Sequence, residues 1–172
     1  MTEEEQVRER KLEEIKRAGI KIYPAKFRKK QALAACSKLL TGKPVKTAGR
    51  LIMLRDMGKL AFGHLQDYTG RMQIALKADD LGADNYKMFL KVIDLGDFLG
   101  VEGEIFQTQK GEITILVKKW TFLGKALKPL PEKWHGLQDT ELKYRQRYLD
   151  LISNPETMGR FKLRSLFIKT IR

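Results

Sequence analysis

Apolar and polar residues alternate along residues 60–76, and this pattern predicts two strands joined by a tight turn at residues 67–70. Successive side chains of a strand point to opposite faces of a sheet. The core face of the second strand is formed by Met72, Ile74 and Leu76. Pairing Leu65 of the first strand with that face leaves Phe62 on the outer face, where Gln73 also lies. An aromatic ring among polar side chains on the outside of a sheet needs a reason.

Five strands and one inserted helix are predicted for the centre of the chain. The predicted strands cover residues 45–54, 60–67, 71–77, 98–106 and 113–122. Between the third and fourth strands, residues 84–93 carry apolar side chains at the i, i+3, i+4, i+7 spacing of an amphipathic helix. This order of elements is typical of the OB-fold, a small Greek-key barrel. The alternative is another small barrel, although such barrels usually lack the inserted helix.

A charged extension precedes these strands. Residues 3–18 predict a helix that ends at Gly19, a usual C-terminal stop, and residues 31–40 predict a second, short helix. The expected fold class is therefore mainly β: a five-stranded OB-fold barrel with an N-terminal helical extension and C-terminal linker helices.

A basic, proline-marked linker and two helices follow the barrel. Asp139 or Thr140 caps a predicted helix that runs to about residue 152, and Asn154 starts another. That last helix is apolar over much of its circumference and has no C-terminal cap, which suggests the front part of a longer protein. The alternative is a helix that folds back onto the barrel. The predicted domains are residues 1–42 (helical extension), 43–124 (OB-fold barrel), 125–154 (linker and hinge helix) and 155–172 (the start of a further domain).

The charge of the chain favours a polyanionic partner. The 172 residues carry a net charge of +13, and the sequence pI is near 9.8. The flanks, residues 1–40 and 125–172, have net charges of +5 and +6, against +2 for residues 41–124. Nucleic acid is the first candidate for such a protein. A solvated, lysine-rich surface remains the alternative on charge alone.

Several classes of protein are disfavoured by what the sequence lacks. Cys36 is the single cysteine, so no internal disulfide forms, and with two histidines the chain offers no zinc site. No apolar run approaches the ~20 residues of a membrane span, and the N-terminus lacks the apolar core of a signal peptide. We therefore expect a cytoplasmic protein without a membrane partner. No catalytic set emerges, and the Asp79-Asp80 pair is typical of a helix start rather than of a metal site.

The outer face of the predicted sheet carries the candidate binding residues. OB-folds bind single-stranded nucleic acid on an open sheet face with aromatic platforms and polar groups. Phe62 fits a stacking platform, Gln73 can read a base edge, Arg55 lies just before the Phe62 strand, and Glu112 begins the fifth strand. His64 shares this face and ranks lower. The alternatives are a Phe62 packed under a loop or flanking helix and an ordinary solvated Gln73.

Three stretches make the chain similar to a known family. GRLIMLRDMGKLAFGHLQDYTGRMQIAL, DLGDFLGVEGEIFQTQKGEIT and KALKPLPEKWHGLQDTELKYRQRYLDLI closely resemble the N-terminal part of class II lysyl-tRNA synthetases. The third stretch is the most specific, because aspartyl and asparaginyl enzymes share the barrel but lack the HGLQD…YRQRYLDLI combination and this N-terminal helical extension. The resemblance covers essentially the whole chain.

The resemblance implies a ligand for the outer face. In this family the OB-fold domain binds the tRNA anticodon, whose U-rich triplet lies on the open face of the barrel. By position, Phe62 matches the aromatic residue on which an anticodon base stacks, and Gln73 matches the glutamine that reads the central U. Arg55 and Glu112 match residues that contact the same bases. The implied partner is therefore the anticodon stem-loop of a lysine tRNA.

The resemblance also implies an activity for a longer enzyme. Full-length members form lysyl-adenylate from lysine and ATP, with Mg²⁺, and transfer the lysine to tRNA, and a homodimer is expected. Residues 155–172 resemble only the first part of class II motif 1, the start of the catalytic domain. We therefore expect no cofactor and no ligase activity in these 172 residues alone. The alternatives are a free-standing module that binds single-stranded RNA or DNA, and a protein-interaction domain that docks through residues 155–172.

Overall fold

Five strands close into a barrel in the computed structural model, which describes residues 2–130, 137 and 139–172. The strands are β1 (Pro44–Asp56), β2 (Leu60–Gln66), β3 (Arg71–Lys77), β4 (Phe98–Gln107) and β5 (Ile113–Gly124). Their order around the barrel is β1-β2-β3-β5-β4. All neighbours are antiparallel except β3 and β5, which pair in parallel and close the sheet. The predicted strands are confirmed, although β1 begins one residue earlier and ends two residues later than expected, and β5 ends two residues later.

The register of the hairpin between β2 and β3 is the one that alternation predicted. Leu65 pairs with Met72 and Gly63 with Ile74, and all four residues are buried. Phe62 pairs with Ala75, so its ring points to the outer face. Because a one-residue slip would turn every side chain to the opposite face, this register places both the core and the candidate site.

Helices before the barrel and between its third and fourth strands complete the first part of the chain. They are α1 (Glu3–Arg17), α2 (Leu33–Cys36), α3 (Ala78–Leu81) and α4 (Ala83–Val92). Helix α4 buries Tyr86, Phe89 and Val92, and the Phe89 ring meets Trp120 of β5 edge to face at 5.4 Å. The helix predicted at residues 84–93 is thus present, one residue earlier than expected. Asp79 and Asp80 lie in the first turn of α3, as helix-start residues do.

The helix predicted for residues 31–40 is only one turn long, and that prediction is wrong in length. The backbone N–H groups of Lys30 and Gln31 donate to the carbonyl of Lys46 in β1, and the Gln31 side chain accepts from the Lys46 N–H. The N–H of Leu33 donates to Asp67. These bonds to the barrel fix an extended approach, so α2 starts only at Leu33.

Helix α1 is attached to the barrel by a cluster of charged side chains. Lys125, at the end of β5, is buried, and its ammonium lies 2.8 Å from Asp97 and 2.6 Å from Asp94. Lys11 of α1 reaches the other oxygen of Asp94 at 2.5 Å. Arg8 of α1 donates to the carbonyls of Leu95 and Ala126. No local pattern in the sequence indicates this cluster, because its members are separated by up to 118 residues.

Three helices form the C-terminal part: α5 (Thr140–Arg145), α6 (Arg147–Ser153) and α7 (Pro155–Ile171). The chain divides into two compact units, Met1–Pro129 and Leu130–Arg172. Asp139 caps α5 and Asn154 caps α7, as predicted, but Gln146 leaves the helical conformation and splits the single helix expected up to residue 152. Residues 131–136 and 138, which include part of the predicted linker and of the HGLQD motif, lie outside the described residues. The finer domain bounds stay a prediction.

Candidate nucleic-acid interface

Two rows of side chains cross the outer face of β1, β2 and β3. In the first row, Arg55 of β1 pairs with Phe62 of β2, which pairs with Ala75 of β3. Phe62 is half-buried and does not belong to the half-buried apolar residues that pack against the core. Its ring is therefore part of the outer surface, with the exposed Arg55 beside it.

The second row is polar beyond Met53 and reaches a fourth strand. Met53 pairs with His64, His64 with Gln73, and Gln73 with Thr114 of β5 across the parallel closure. In this way the parallel pairing brings β5 next to the Phe62 hairpin. The sequence alone does not show this neighbourhood, since parallel register leaves no local signal.

A β-bulge sets the direction of the β1 residues. Leu51 pairs with Leu65 inside the barrel, whereas Met53 pairs with the outward His64, so Ile52 is an extra residue in β1. Strict alternation from Leu51 would have placed residues 53 and 55 on the core face. A bulge re-aims the side chains that follow it, and this one turns Arg55 to the outer face.

Gln73 is the centre of a hydrogen-bond chain on this face. Its Nε2 donates to Oε2 of Glu112 at 2.7 Å, and its Oε1 accepts from the hydroxyl of Thr114 at 2.5 Å. Glu112 precedes β5, and its side chain is 53% exposed. Nε2 of His64 lies 3.8 Å from the other oxygen of Glu112. The site is thus one connected polar group beside an aromatic ring.

The turn that carries Glu112 is itself fixed by hydrogen bonds. The N–H of Glu112 donates to the Thr108 hydroxyl, and its carbonyl accepts from the Thr108 N–H. Gly111 adopts a φ of 82°, a conformation that side chains rarely adopt. Glu112 is therefore held in one place relative to Gln73.

The opposite end of the Phe62 hairpin is held by Asp67. Burial alone would raise the pKa of Asp67, but hydrogen bonds from Thr69, from the N–H of Leu33 and from Lys29 outweigh it and lower the pKa to about 2. The carboxylate binds the turn and the start of α2 together. The hairpin that presents Phe62 and Gln73 is thereby anchored at its tip.

A metal site needs several ligands close together, and a membrane span needs a long apolar helix. Within residues 2–130, 137 and 139–172, no three His, Cys, Asp or Glu side chains come close enough to hold a metal ion. No helix in the described part of the chain is long and apolar enough to cross a membrane.

Known proteins match this chain in its barrel and beyond it. Residues 45–123 match the model of the tRNA anticodon family, described as an OB-fold nucleic acid binding domain. This match spans the barrel from β1 to β5. Nearly the whole chain is similar to the N-terminal part of lysine–tRNA ligases, so the resemblance inferred from its sequence motifs is confirmed, as is the OB-fold.

The similar ligases come from several bacteria. The ligase of Carboxydothermus hydrogenoformans is 49% identical over 170 residues, which cover 96% of this chain and 34% of that protein. The ligase of Lactococcus lactis subsp. lactis is 46% identical over 182 positions, covering 100% and 37%. The ligase of Aquifex aeolicus is 53% identical over 130 residues, covering 76% and 22%. The chain thus spans about a third of the length of the first two curated relatives.

All four residues predicted to bind RNA lie in this region of the barrel. Arg55 and Phe62 are cross-strand neighbours, and Gln73 and Glu112 are hydrogen-bonded. The structure adds Thr114, which sequence reasoning missed because its relation to Gln73 depends on the closure between β3 and β5. His64 was ranked low, yet it lies between Met53 and Gln73. The roles of these residues toward RNA stay predictions.

Proposed function

We propose that this chain recognises the anticodon of a lysine tRNA as the N-terminal part of a lysine–tRNA ligase. The observation that supports it most is the half-buried Phe62 ring on the outer face, one row from the connected polar group of Gln73, Glu112 and Thr114. A stacking surface beside fixed donors and acceptors suits an unpaired base. The family of the barrel and the similarity to lysine–tRNA ligases point to tRNA.

Each residue has a chemical task in this proposal. Phe62 stacks on one anticodon base, and Arg55 next to it contacts the same bases. Gln73 reads the central U through its amide, and Glu112 acts at the same edge. A stacked base is worth ~1–3 kcal/mol, whereas the separation of U from C depends on hydrogen bonds.

The basic residues supply affinity that does not depend on sequence. Residues 1–40 alone carry a net charge of +5. Lysines and arginines that neutralise phosphates release counterions, so this part of the binding weakens as salt rises. We therefore assign the choice of RNA to the outer face and the background affinity to the flanks.

The ligase activity belongs to the longer protein in this proposal. There the chain would work with a catalytic domain that uses ATP and Mg²⁺ to form lysyl-adenylate, in a cytoplasmic homodimer. The 172 residues would contribute tRNA selection and the hinge into that domain. No cofactor is assigned to the barrel.

The test is a titration of the chain with anticodon stem-loops at two salt concentrations. Phe62→Ala should weaken binding to a lysine-type stem-loop by roughly ten- to a hundredfold. Gln73→Ala should change total affinity less but should reduce the preference for U over C at the central position. The matched control is Phe98→Ala, because Phe98 is 44% exposed and packs on Arg50 in another part of the barrel.

The outcomes distinguish the proposed function from its alternatives. Phe98→Ala should bind like the parent protein. If folded Phe62→Ala also binds like the parent, Phe62 is a packing residue and the proposed interface is wrong. Equal affinity for all single strands would favour the free-standing module instead.

A further inference from the structure

The side-chain amide of Gln73 is held at both ends. Its Oε1 accepts from the Thr114 hydroxyl, and its Nε2 donates to a carboxylate oxygen of Glu112. A glutamine amide can turn by 180° and exchange its oxygen and nitrogen with almost no change in shape. The partners of the amide therefore decide which end is the donor.

Glu112 is the partner that makes the two orientations unequal. An ionised carboxylate only accepts hydrogen bonds, whereas a hydroxyl can donate or accept. In the turned amide, Thr114 could accept from Nε2 and donate to the carbonyl of Glu112, which lies 3.3 Å from its hydroxyl. Oε1 of Gln73 would then face Oε2 of Glu112, and two acceptors at hydrogen-bond distance repel each other. Thr114 tolerates both orientations, and Glu112 permits one.

The permitted orientation leaves a defined pattern for a ligand. One N–H of Nε2 and one lone pair of Oε1 stay unused by Glu112 and Thr114. Uracil carries a carbonyl at position 4 and an N–H at position 3, whereas cytosine carries an amino group and a bare nitrogen there. In a pose that places position 4 against Nε2, uracil meets a donor with an acceptor, and cytosine meets it with a donor.

We infer that Glu112 is a positioning residue that fixes the polarity of Gln73, so that the site accepts uracil and rejects cytosine. This inference rests on the proposed function. It moves Glu112 from direct contact with a base to control of the residue that reads the base. Thr114 donates to Oε1 in this orientation but does not select it.

The decisive variant is Glu112→Gln. A side-chain amide at position 112 can present either a donor or an acceptor, so both orientations of Gln73 become possible. We expect the ratio of affinities for U-centred and C-centred stem-loops to fall by roughly tenfold or more, since a well-made base contact discriminates by about that factor. Binding of the U-centred stem-loop should change less than the ratio.

Matched variants separate polarity from charge and from folding. Glu102→Gln removes the same charge from β4, where Glu102 pairs with Lys46, and should shift both stem-loops equally. Thr114→Ser and Thr114→Val should both keep the ratio, because Glu112 still permits only one orientation of the Gln73 amide. A loss of folded structure would weaken the binding of both stem-loops and would not lower the ratio of their affinities alone.

The results also distinguish this inference from the proposed function. A parent protein without preference for the U-centred stem-loop would overturn the proposed function, and the inference with it. A parent that prefers U, together with a Glu112→Gln variant that keeps the full preference, would overturn only the role of Glu112. A lowered ratio in Glu102→Gln as well would show that charge, not polarity, decides.

Discussion

The two compact units of this chain differ in the burial of their apolar side chains. The buried core extends from Ile15 to Phe122 and lies entirely in the unit that contains the barrel. In the described part of the C-terminal unit, the buried residues are polar: Asp150 and Thr157. Leu163, Leu166 and Phe167 of α7 are instead 61–68% exposed. The barrel covers its own apolar surface, whereas α7 presents apolar surface outward.

Polar contacts hold the C-terminal helices together. Arg147 donates to Asp150 at 2.6 Å, and its guanidinium lies 4.8 Å from the Tyr144 ring and 5.4 Å from the Phe161 ring. Asn154 caps the first turn of α7. Such contacts define helix ends but bury little apolar area, and apolar burial is the main source of folding free energy. The comparison therefore predicts that substitutions of similar size have unequal effects in the two units.

The largest difference should come from two phenylalanines. Phe122 of β5 is 1% exposed, and Phe167 of α7 is 65% exposed. Phe122→Ala should lower the free energy of unfolding by about 3–5 kcal/mol because it leaves a cavity. Phe167→Ala should change it by less than ~0.5 kcal/mol. Urea unfolding followed by tryptophan fluorescence measures both, and equal losses would contradict the division into covered and open surfaces.

A buried ion pair of the barrel unit and an exposed ion pair of the C-terminal unit should also contribute unequally to stability. The side chains of Lys125 and Asp97 are fully buried, whereas those of Arg145 and Glu141 on α5 are 73% and 70% exposed. Lys125→Met leaves Asp97 without its counter-charge and should cost about 3–5 kcal/mol. Arg145→Ala should leave unfolding unchanged within error, since exposed pairs contribute little. Thermal unfolding at low and high salt checks both, and a tolerated Lys125→Met would show that the cluster does not hold α1 in place.

Lowering the pH should reduce the free energy of unfolding of the barrel, because Asp67 becomes protonated. Its pKa falls from an ordinary value near 3.8 to about 2 in the folded state. A carboxyl with a lowered folded pKa stabilises the protein above its unfolded pKa, and the gain is lost as pH falls from about 4 to 2. The amount is on the order of 2 kcal/mol. Unfolding curves between pH 5 and 2 should show a shallower loss in Asp67→Asn, and an unchanged pH profile would contradict this role.

A substitution on the exposed face of α7 should have the smallest effect on unfolding but a measurable effect on self-association. Its exposed apolar residues should make the isolated chain self-associate as concentration rises. Leu166→Lys should reduce that association and leave the unfolding midpoint nearly unchanged. Sedimentation velocity over a range of concentrations is the measurement. A monomer at all concentrations with strongly protected α7 amides would show that the helix needs no cover.

The barrel was largely readable from its sequence, because alternation is a local property. The hairpin register, the outward Phe62 and the inserted helix all follow from spacing between near neighbours. Helix caps such as Asn154 were equally visible, since the chemistry of a cap lies within a few residues.

Most of the features that local sequence patterns did not predict depend on distant partners. The bulge at Ile52 reverses the alternation that would have placed Arg55 inside. The cluster around Lys125 joins α1, the segment before β4 and the end of β5, and no local pattern announces it. Thr114 was missed for the same reason, because its role depends on the register of β3 against β5. The break at Gln146 falls in a stretch with ordinary helical composition.

The parallel pairing of β3 with β5 has a consequence for the linkage between binding and folding. Gln73 and its two partners are about forty residues apart in sequence and meet only at this seam. If Gln73 binds a base, the ligand binds only the form in which β3 and β5 are paired. A ligand at a hundred times its dissociation constant then stabilises the closed form by about 2.7 kcal/mol. Amide hydrogens along β3 and β5 should therefore exchange more slowly when RNA is bound. Slower exchange in these two strands would then indicate that RNA is bound at Gln73.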